Sequence, residues 1–345
     1  MGSTGYFHRV NAMTPTRFWV NNVTPEQARA GIGAGAIGCT QNPSYVAKMF
    51  EMRPDYCRDM AKKYIAQHAS DTDVLIHMQA ELVGEIAKEF LPLYEASNGL
   101  HGHVTIQGDP FDENTPAILR QAEIAMKYGP NVMPKIPAVP AAFESMAELA
   151  GRGVPLCCTE VFALRQAIDV GETILKGTKG KKVPVVQLAH IAGIYDEHLG
   201  KCVKNDNIDI APDILWHAGI AIAKKIHQII TERRYPVNFL GGGARGLHHF
   251  TEMVGSTATV TINWNGTAED LIRENPMVVQ RFHMPTPASV VDELLAKLPD
   301  FRRGYFADAI APEEYEAFGP VALFRNTFEK SWKTALDKVA EIRKA

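Results

Sequence analysis

Eight short apolar runs, each followed by a longer stretch, constrain this 345-residue chain more than any other feature. They are RFWVN (17–21), GAIGCT (35–40), HVTIQ (103–107), NVMPKI (131–136), VPLCCT (154–159), VPVVQLA (183–189), VNFLGGG (237–243) and ATVTI (258–262). Between them, segments such as 115–129, 141–153 and 211–234 return an apolar residue every three or four positions, the period of an amphipathic helix. Thr24-Pro25-Glu26 and Ala211-Pro212-Asp213 carry helix-start chemistry, and Gly129 and Gly153 stand where a helix ends. Apolar strands alternating with helices argue for an α/β fold with a parallel sheet under crossover helices, and eight such units close a (β/α)8 TIM barrel. An open doubly wound sheet shares the alternation, but no Gly-rich phosphate fingerprint follows the first run. The expected organisation is a single domain over 1–345, with a barrel core at about 17–262, a helical insert after strand 2 (41–102) and a helical C-terminal tail (263–345).

Charge excludes one class of partner. Lys and Arg number 36 against 39 Asp and Glu, and without a basic block the chain lacks the footprint of a nucleic-acid binder. No apolar run reaches membrane-spanning length, and the start of the chain lacks the pattern of a secretory leader. Met1-Gly2-Ser3 resembles a myristoylation start, but Tyr6 stands where that motif wants Ser or Thr. The five cysteines include no CxxC pair and no His cluster at zinc-ligand spacing, so reduced thiols and no metal are expected. These features predict a cytoplasmic protein that takes a small molecule, needs no cofactor and is free to form a homo-oligomer.

In a (β/α)8 barrel, chemistry gathers at the C-terminal ends of the strands. Asn21, Thr40 with Asn42, Gln107, Lys135, Thr159, His190 and Arg245 fall at or just beyond those ends. Lys135 lies in the apolar run NVMPKIPAV, and two readings stand side by side. A lysine there can snorkel, burying its stem and keeping its head in water. Desolvated in a pocket, it loses affinity for its proton, and the neutral amine attacks carbonyls. The Asn and Thr residues likewise have capping roles as the alternative to ligand binding.

These residues carry a resemblance. GCTQNPSYV (38–46) resembles the second-strand G-V-T-T-N-P-S-L-I of the transaldolase family, and MPKIPAV resembles its I-K-I-P-A-T around a Schiff-base lysine. Further along, LCCTEVFALRQA (156–167) parallels C-N-L-T-L-L-F-S-x-x-Q-A, and FLGGGARG (239–246) parallels I-M-G-A-S-F-R-N. The resemblance implies carbohydrate metabolism, the pentose phosphate pathway and a class I aldolase mechanism. In that mechanism Lys135 attacks a ketose carbonyl, and a dihydroxyacetone unit is transferred or released. It further implies that Gln107 and Thr159 hold the catalytic water, that Thr40 and Asn42 bind donor hydroxyls, and that Arg245 grips the substrate phosphate.

Four departures qualify this. Asn21 (or its neighbour Asn22) replaces the first-strand aspartate that serves as acid and base, and an amide cannot shuttle a proton. Ile194 replaces a second phosphate-binding arginine, Cys157 an asparagine, and Gly243 the serine before the retained arginine. They imply a modified proton relay or an altered substrate, with His190 standing either as a substitute acid-base group or as a rim histidine without a role. The competing expectations are an aldolase without transfer on a non-phosphorylated sugar, and a catalytically impaired sugar-binding protein of the same fold.

Overall fold

A computed structural model describes residues 5–345, and the Met1-Gly2-Ser3 start lies outside them. Eight parallel strands close in sequence order: β1 (Arg17–Asn21), β2 (Ala36–Thr40), β3 (Val104–Ile106), β4 (Val132–Pro137), β5 (Leu156–Val161), β6 (Val186–His190), β7 (Asn238–Gly241) and β8 (Thr259–Asn263). Strand β8 completes the ring against β1 in unbroken register, from Arg17 opposite Thr259 to Asn21 opposite Asn263. The architecture is therefore a TIM barrel and not an open sheet.

Every residue of β4, β5 and β6 is buried, because one face of each strand packs on helices and the other fills the barrel. Inside, large and small residues interlock. The Trp19 indole of β1 occupies space that Gly38 of β2 leaves empty, and a Cβ at residue 38 would come within 2.4 Å of that ring. The helix Pro25–Ala34 begins where Thr24 and Gln27 form a reciprocal capping box.

The insert after β2 consists of helices Ser44–Met52, Pro54–Ile65 and Asp71–Ala96. Gln79 of the last one is buried among apolar neighbours, and its amide donates to the Gln107 carbonyl at 2.9 Å, fixing the chain as it leaves β3. The tail carries helices Glu269–Glu274, Ala288–Lys297, Pro299–Tyr305 and Gly319–Lys344. The last aligns Val321, Phe324, Phe328, Trp332, Ala335 and Val339 along one buried stripe and packs against all three insert helices, the helix Ala192–Asn205 and β5. It thereby lies across the C-terminal mouth of the barrel. One helix was not evident in the sequence: Tyr6–Met13 stacks Phe7 on Phe18 with ring centroids 3.9 Å apart. Among the described residues no helix is long and apolar enough to cross a membrane, and all five cysteines are free.

Candidate active site

Beneath the terminal helix lies a cavity of about 200 Å³, lined by Asn21, Thr40, Asn42, Lys135 and Arg245 from the barrel and by Phe328 from the tail, among others. Lys135 sits at its floor, 7% exposed, with Nζ 5.9 Å from the centre of the Phe328 ring. Burial holds this lysine below the ordinary range, and the neighbouring Cys157 and Glu160 oppose the shift. The head is thus enclosed and not at a solvated rim, so Lys135 does not snorkel.

The wall formed by β1, β2 and β8 is neutral and closed on itself. The Thr40 hydroxyl donates to Asn21 Oδ1 at 2.8 Å and meets the Thr261 hydroxyl at 2.7 Å, while Asn21 Nδ2 donates to Asn263 Oδ1 at 2.8 Å. Asn22, in a left-handed conformation, donates from Nδ2 to Asn42 Oδ1 at 3.0 Å and accepts from the Asn42 backbone amide. Of the two asparagines, Asn21 is the one engaged with Thr40, and Asn22 braces the turn that presents Asn42.

Beyond Lys135, outside the lining of this cavity, stands a charged wall, of which Gln107 and Glu113 line a second cavity of about 30 Å³ together with Lys135. Gln107, just past β3, donates from Nε2 to Glu160 Oε1 of β5 at 2.8 Å. Glu113 in turn pairs with Arg325 of the terminal helix at 2.8 Å, and Arg325 holds Glu316 at 2.9 Å. Burial raises both carboxyls, and the charge of Glu160 pushes Glu113 up further, to about 8, so one of the two retains a proton near neutrality. Thr159 is fully buried beside them.

At the end of the cavity that holds Arg245, the guanidinium is already engaged. Arg245 donates from Nε to Glu197 at 2.9 Å. Its backbone amide is anchored by His249, whose Nε2 lies 2.9 Å from Asp196. Asp196, His248 and His249 bring three potential metal-ligand atoms within 4.8 Å of one another, a cluster that linear spacing did not reveal. Ile194 is buried and lines the cavity. Gly243 has φ of 69°, and a Cβ there would stand 2.3 Å from Ile191.

His190 lies elsewhere. Ala189 lines the cavity, so strand alternation turns His190 to the outer face of β6. There its ring nitrogens face the carbonyls of Val161 and Gly219 at 2.8 and 3.1 Å, and burial lowers its affinity for a proton. It cannot reach a molecule in the mouth.

The family model described as Transaldolase/Fructose-6-phosphate aldolase matches residues 18–302. The chain belongs to the transaldolase family. Among its relatives, a transaldolase of Thiobacillus denitrificans is 23% identical over 340 residues, covering 87% of this chain and 91% of the relative. Transaldolase 1 of Streptomyces avermitilis is 26% identical over 207 residues, 57% of this chain and 54% of the relative, and a Mycobacterium ulcerans transaldolase is 27% identical over 169 residues, 46% and 45%. The chain thus spans about half the length of these last two.

Against the transaldolase pattern, the cavity brings together Asn21, Thr40, Asn42, Lys135, Ile194, Gly243 and Arg245. Gln107 and Thr159 stand on the charged wall beside it, and His190 stands outside. The serine that the family carries at Gly243 would not fit this loop. Sequence reasoning missed Glu113, Glu160 and Arg325. Glu160 had left a signal, since a glutamate stands where the quoted motif has leucine. Arg325 had none, because it meets Glu113 from 212 positions away in the chain.

Proposed function

We propose that this protein is a Schiff-base transaldolase or aldolase, acting through Lys135 on the carbonyl of a ketose and transferring or releasing a dihydroxyacetone unit. The observation that carries the reading is the enclosed Lys135 on β4 of a transaldolase-family barrel, kept by burial closer to its neutral form. The neutral amine adds to the keto carbon and, with loss of water, gives an iminium. The iminium accepts the electron pair as the C3–C4 bond breaks and the C4 hydroxyl passes its proton to water. The enamine left behind adds to an acceptor aldehyde in transfer, or is protonated and hydrolysed in simple cleavage. Thr40 and Asn42 face the donor hydroxyls, Gln107 and Thr159 the water, and Arg245 the anionic end.

The distal end favours a sugar with little anionic demand. Arg245 is already paired with Glu197, and Ile194 offers an apolar surface where a second guanidinium would otherwise sit. A charge-assisted hydrogen bond contributes about 1.5–3 kcal/mol, so one missing clamp weakens a phosphorylated ketose roughly 10- to 100-fold. The test is borohydride trapping with mass spectrometry across fructose 6-phosphate, sulfonated and unphosphorylated ketoses, together with kcat/KM for each. An adduct on Lys135 supports the chemistry, and its absence across the panel leaves a sugar-binding protein. Ile194→Arg should raise kcat/KM for fructose 6-phosphate by about 10-fold or more. No change there would mean that the distal pocket lies elsewhere.

A further inference from the structure

Glu160 occupies a place that ordinary strand geometry would not give it. Lys135 is opposite Cys157 in the β4–β5 register, and Thr159 is opposite Pro137. Strict alternation would therefore send residue 160 outward with Cys158. Instead the β5–β6 register breaks between Cys158 and Val161, and Glu160 takes φ of 61°, a left-handed backbone unfavourable for a residue with a Cβ. Gln166 holds the irregular segment. Its Nε2 donates to the carbonyls of Ala138 and Glu160 at 2.9 and 3.0 Å, and its Oε1 accepts from the amides of Phe162 and Ala163. The effect is to aim a fully buried carboxyl at Gln107, near enough to Lys135 for the two charges to act on each other. Strain of this kind, locked by its surroundings, collects at functional sites.

Within this network the buried atoms Glu160 Oε2, Gln107 Oε1, Thr159 Oγ1, Glu113 Oε1 and Arg325 Nε stand without a partner. Unsatisfied groups at this depth call for a water or a ligand hydroxyl. Glu160 is also the one carboxylate among the described residues whose charge bears on Lys135. Across the cavity, the position where the family has its acid-base aspartate holds Asn21, which has no proton to give.

We propose that Glu160 is the acid-base residue of Schiff-base formation, acting on the Lys135 adduct directly or through one water held by Thr159 and Gln107. The assignment rests on the reading of Lys135 as nucleophile. As the amine adds to the ketose C2, the N–C bond forms and the carbonyl oxygen takes the π electrons. Glu160 as the carboxylic acid protonates that oxygen and recovers a proton from the nitrogen, giving the neutral carbinolamine. It then protonates the departing hydroxyl, the C–O bond breaks, water leaves, and the nitrogen lone pair makes the iminium. Glu160 remains as carboxylate until hydrolysis of the product iminium returns the proton. Glu113, Arg325, Lys135 and the Cys157 thiol are the titratable or charged groups around it, with Arg325 neutralising the one charge that the carboxyl pair carries. Burial favours the acid form of Glu160, against the opposing pull of Gln107, Arg325 and Lys135.

The test is the rate at which a Lys135 adduct accumulates when the full-length protein is mixed with the best ketose of the trapping panel and quenched with borohydride at intervals, from pH 5 to pH 9. Glu160→Gln should slow accumulation about 100-fold or more and remove the decline of rate at high pH. Glu160→Gly, which relieves the left-handed backbone, should be as slow while melting no lower than the wild type. Adduct formation in Glu160→Gln at the wild-type rate and with the wild-type pH profile would overturn the assignment while leaving the lysine chemistry standing. A slow Glu160→Gln beside a fast Glu160→Gly would overturn it too, because the effect would then be structural. Failure of the wild type to trap any ketose would remove the nucleophile itself, and the assignment with it.

Discussion

The two walls of the barrel mouth are built on opposite terms. On the β1, β2 and β8 side, Asn21, Thr40, Thr261 and Asn263 satisfy one another with neutral hydrogen bonds. On the β3 to β5 side, Glu113, Glu160 and Lys135 are buried charges or proton carriers, and several polar atoms face no partner. Neutral networks that close on themselves fix geometry. Buried titratable groups left partly open raise the free energy of the empty site and lower it when substrate or a proton arrives, which is the behaviour expected of reacting groups. The family's carboxylate on the first strand has gone, and a carboxylate absent from the family motif has appeared on the fifth.

The largest break comes at Lys135. Lys135→Ala should abolish ketose trapping and turnover with circular dichroism unchanged, and turnover surviving in that variant would remove the charged wall from the chemistry.

Next in size is a pH effect on stability. Carboxyls whose folded affinity for protons is raised bind more protons in the native than in the unfolded state, between the ordinary carboxyl range and about 8 for Glu113. Stability from this pair is therefore present at low pH and is lost as pH climbs through that window. The slope approaches about 1.4 kcal/mol per pH unit for one proton, less whatever other groups contribute. Urea unfolding at several values from pH 5 to 8 should show the decline, and Glu113→Gln should flatten it. Equal slopes in the two proteins would mean that the carboxyl pair is not coupled as its geometry requires.

The neutral wall should answer differently. Thr40→Val leaves Asn21 and Thr261 short of a partner and should destabilise by about 1–3 kcal/mol, with no change in the pH profile of trapping. A shifted profile would show that the neutral wall also handles protons.

The smallest effect is expected at Asn21. Asn21→Asp restores the family's carboxylate, and Asn263 can turn its amide to donate to it, so the wall tolerates the change. Turnover should stay within about threefold, since one isolated surface of contact has changed and the proton path on the other wall has not. A rise of an order of magnitude or more would mean that the first-strand position is still the point where protons are handled.

How much of this was legible in the chain follows from the range of the interactions. Strand runs and helix starts are local, set by side-chain period and by capping chemistry such as Thr24 with Gln27, so the barrel and the position of Lys135 on its fourth strand could be read directly. The strand-end rule placed His190 among the site candidates, and the structure turns it to the outer face, against the carbonyls of Val161 and Gly219, while Ala189 lines the cavity. Three things were decided only by tertiary structure. The left-handed turn at Glu160 breaks the alternation that a sequence reading must assume, and it depends on Gln166 holding the backbone open. The enclosure of Lys135 depends on Phe328, delivered by a terminal helix whose place over the mouth is set by packing on the insert helices. The pairing of Arg325 with Glu113 joins residues far apart in the chain, and its strength comes from water excluded by everything folded around it.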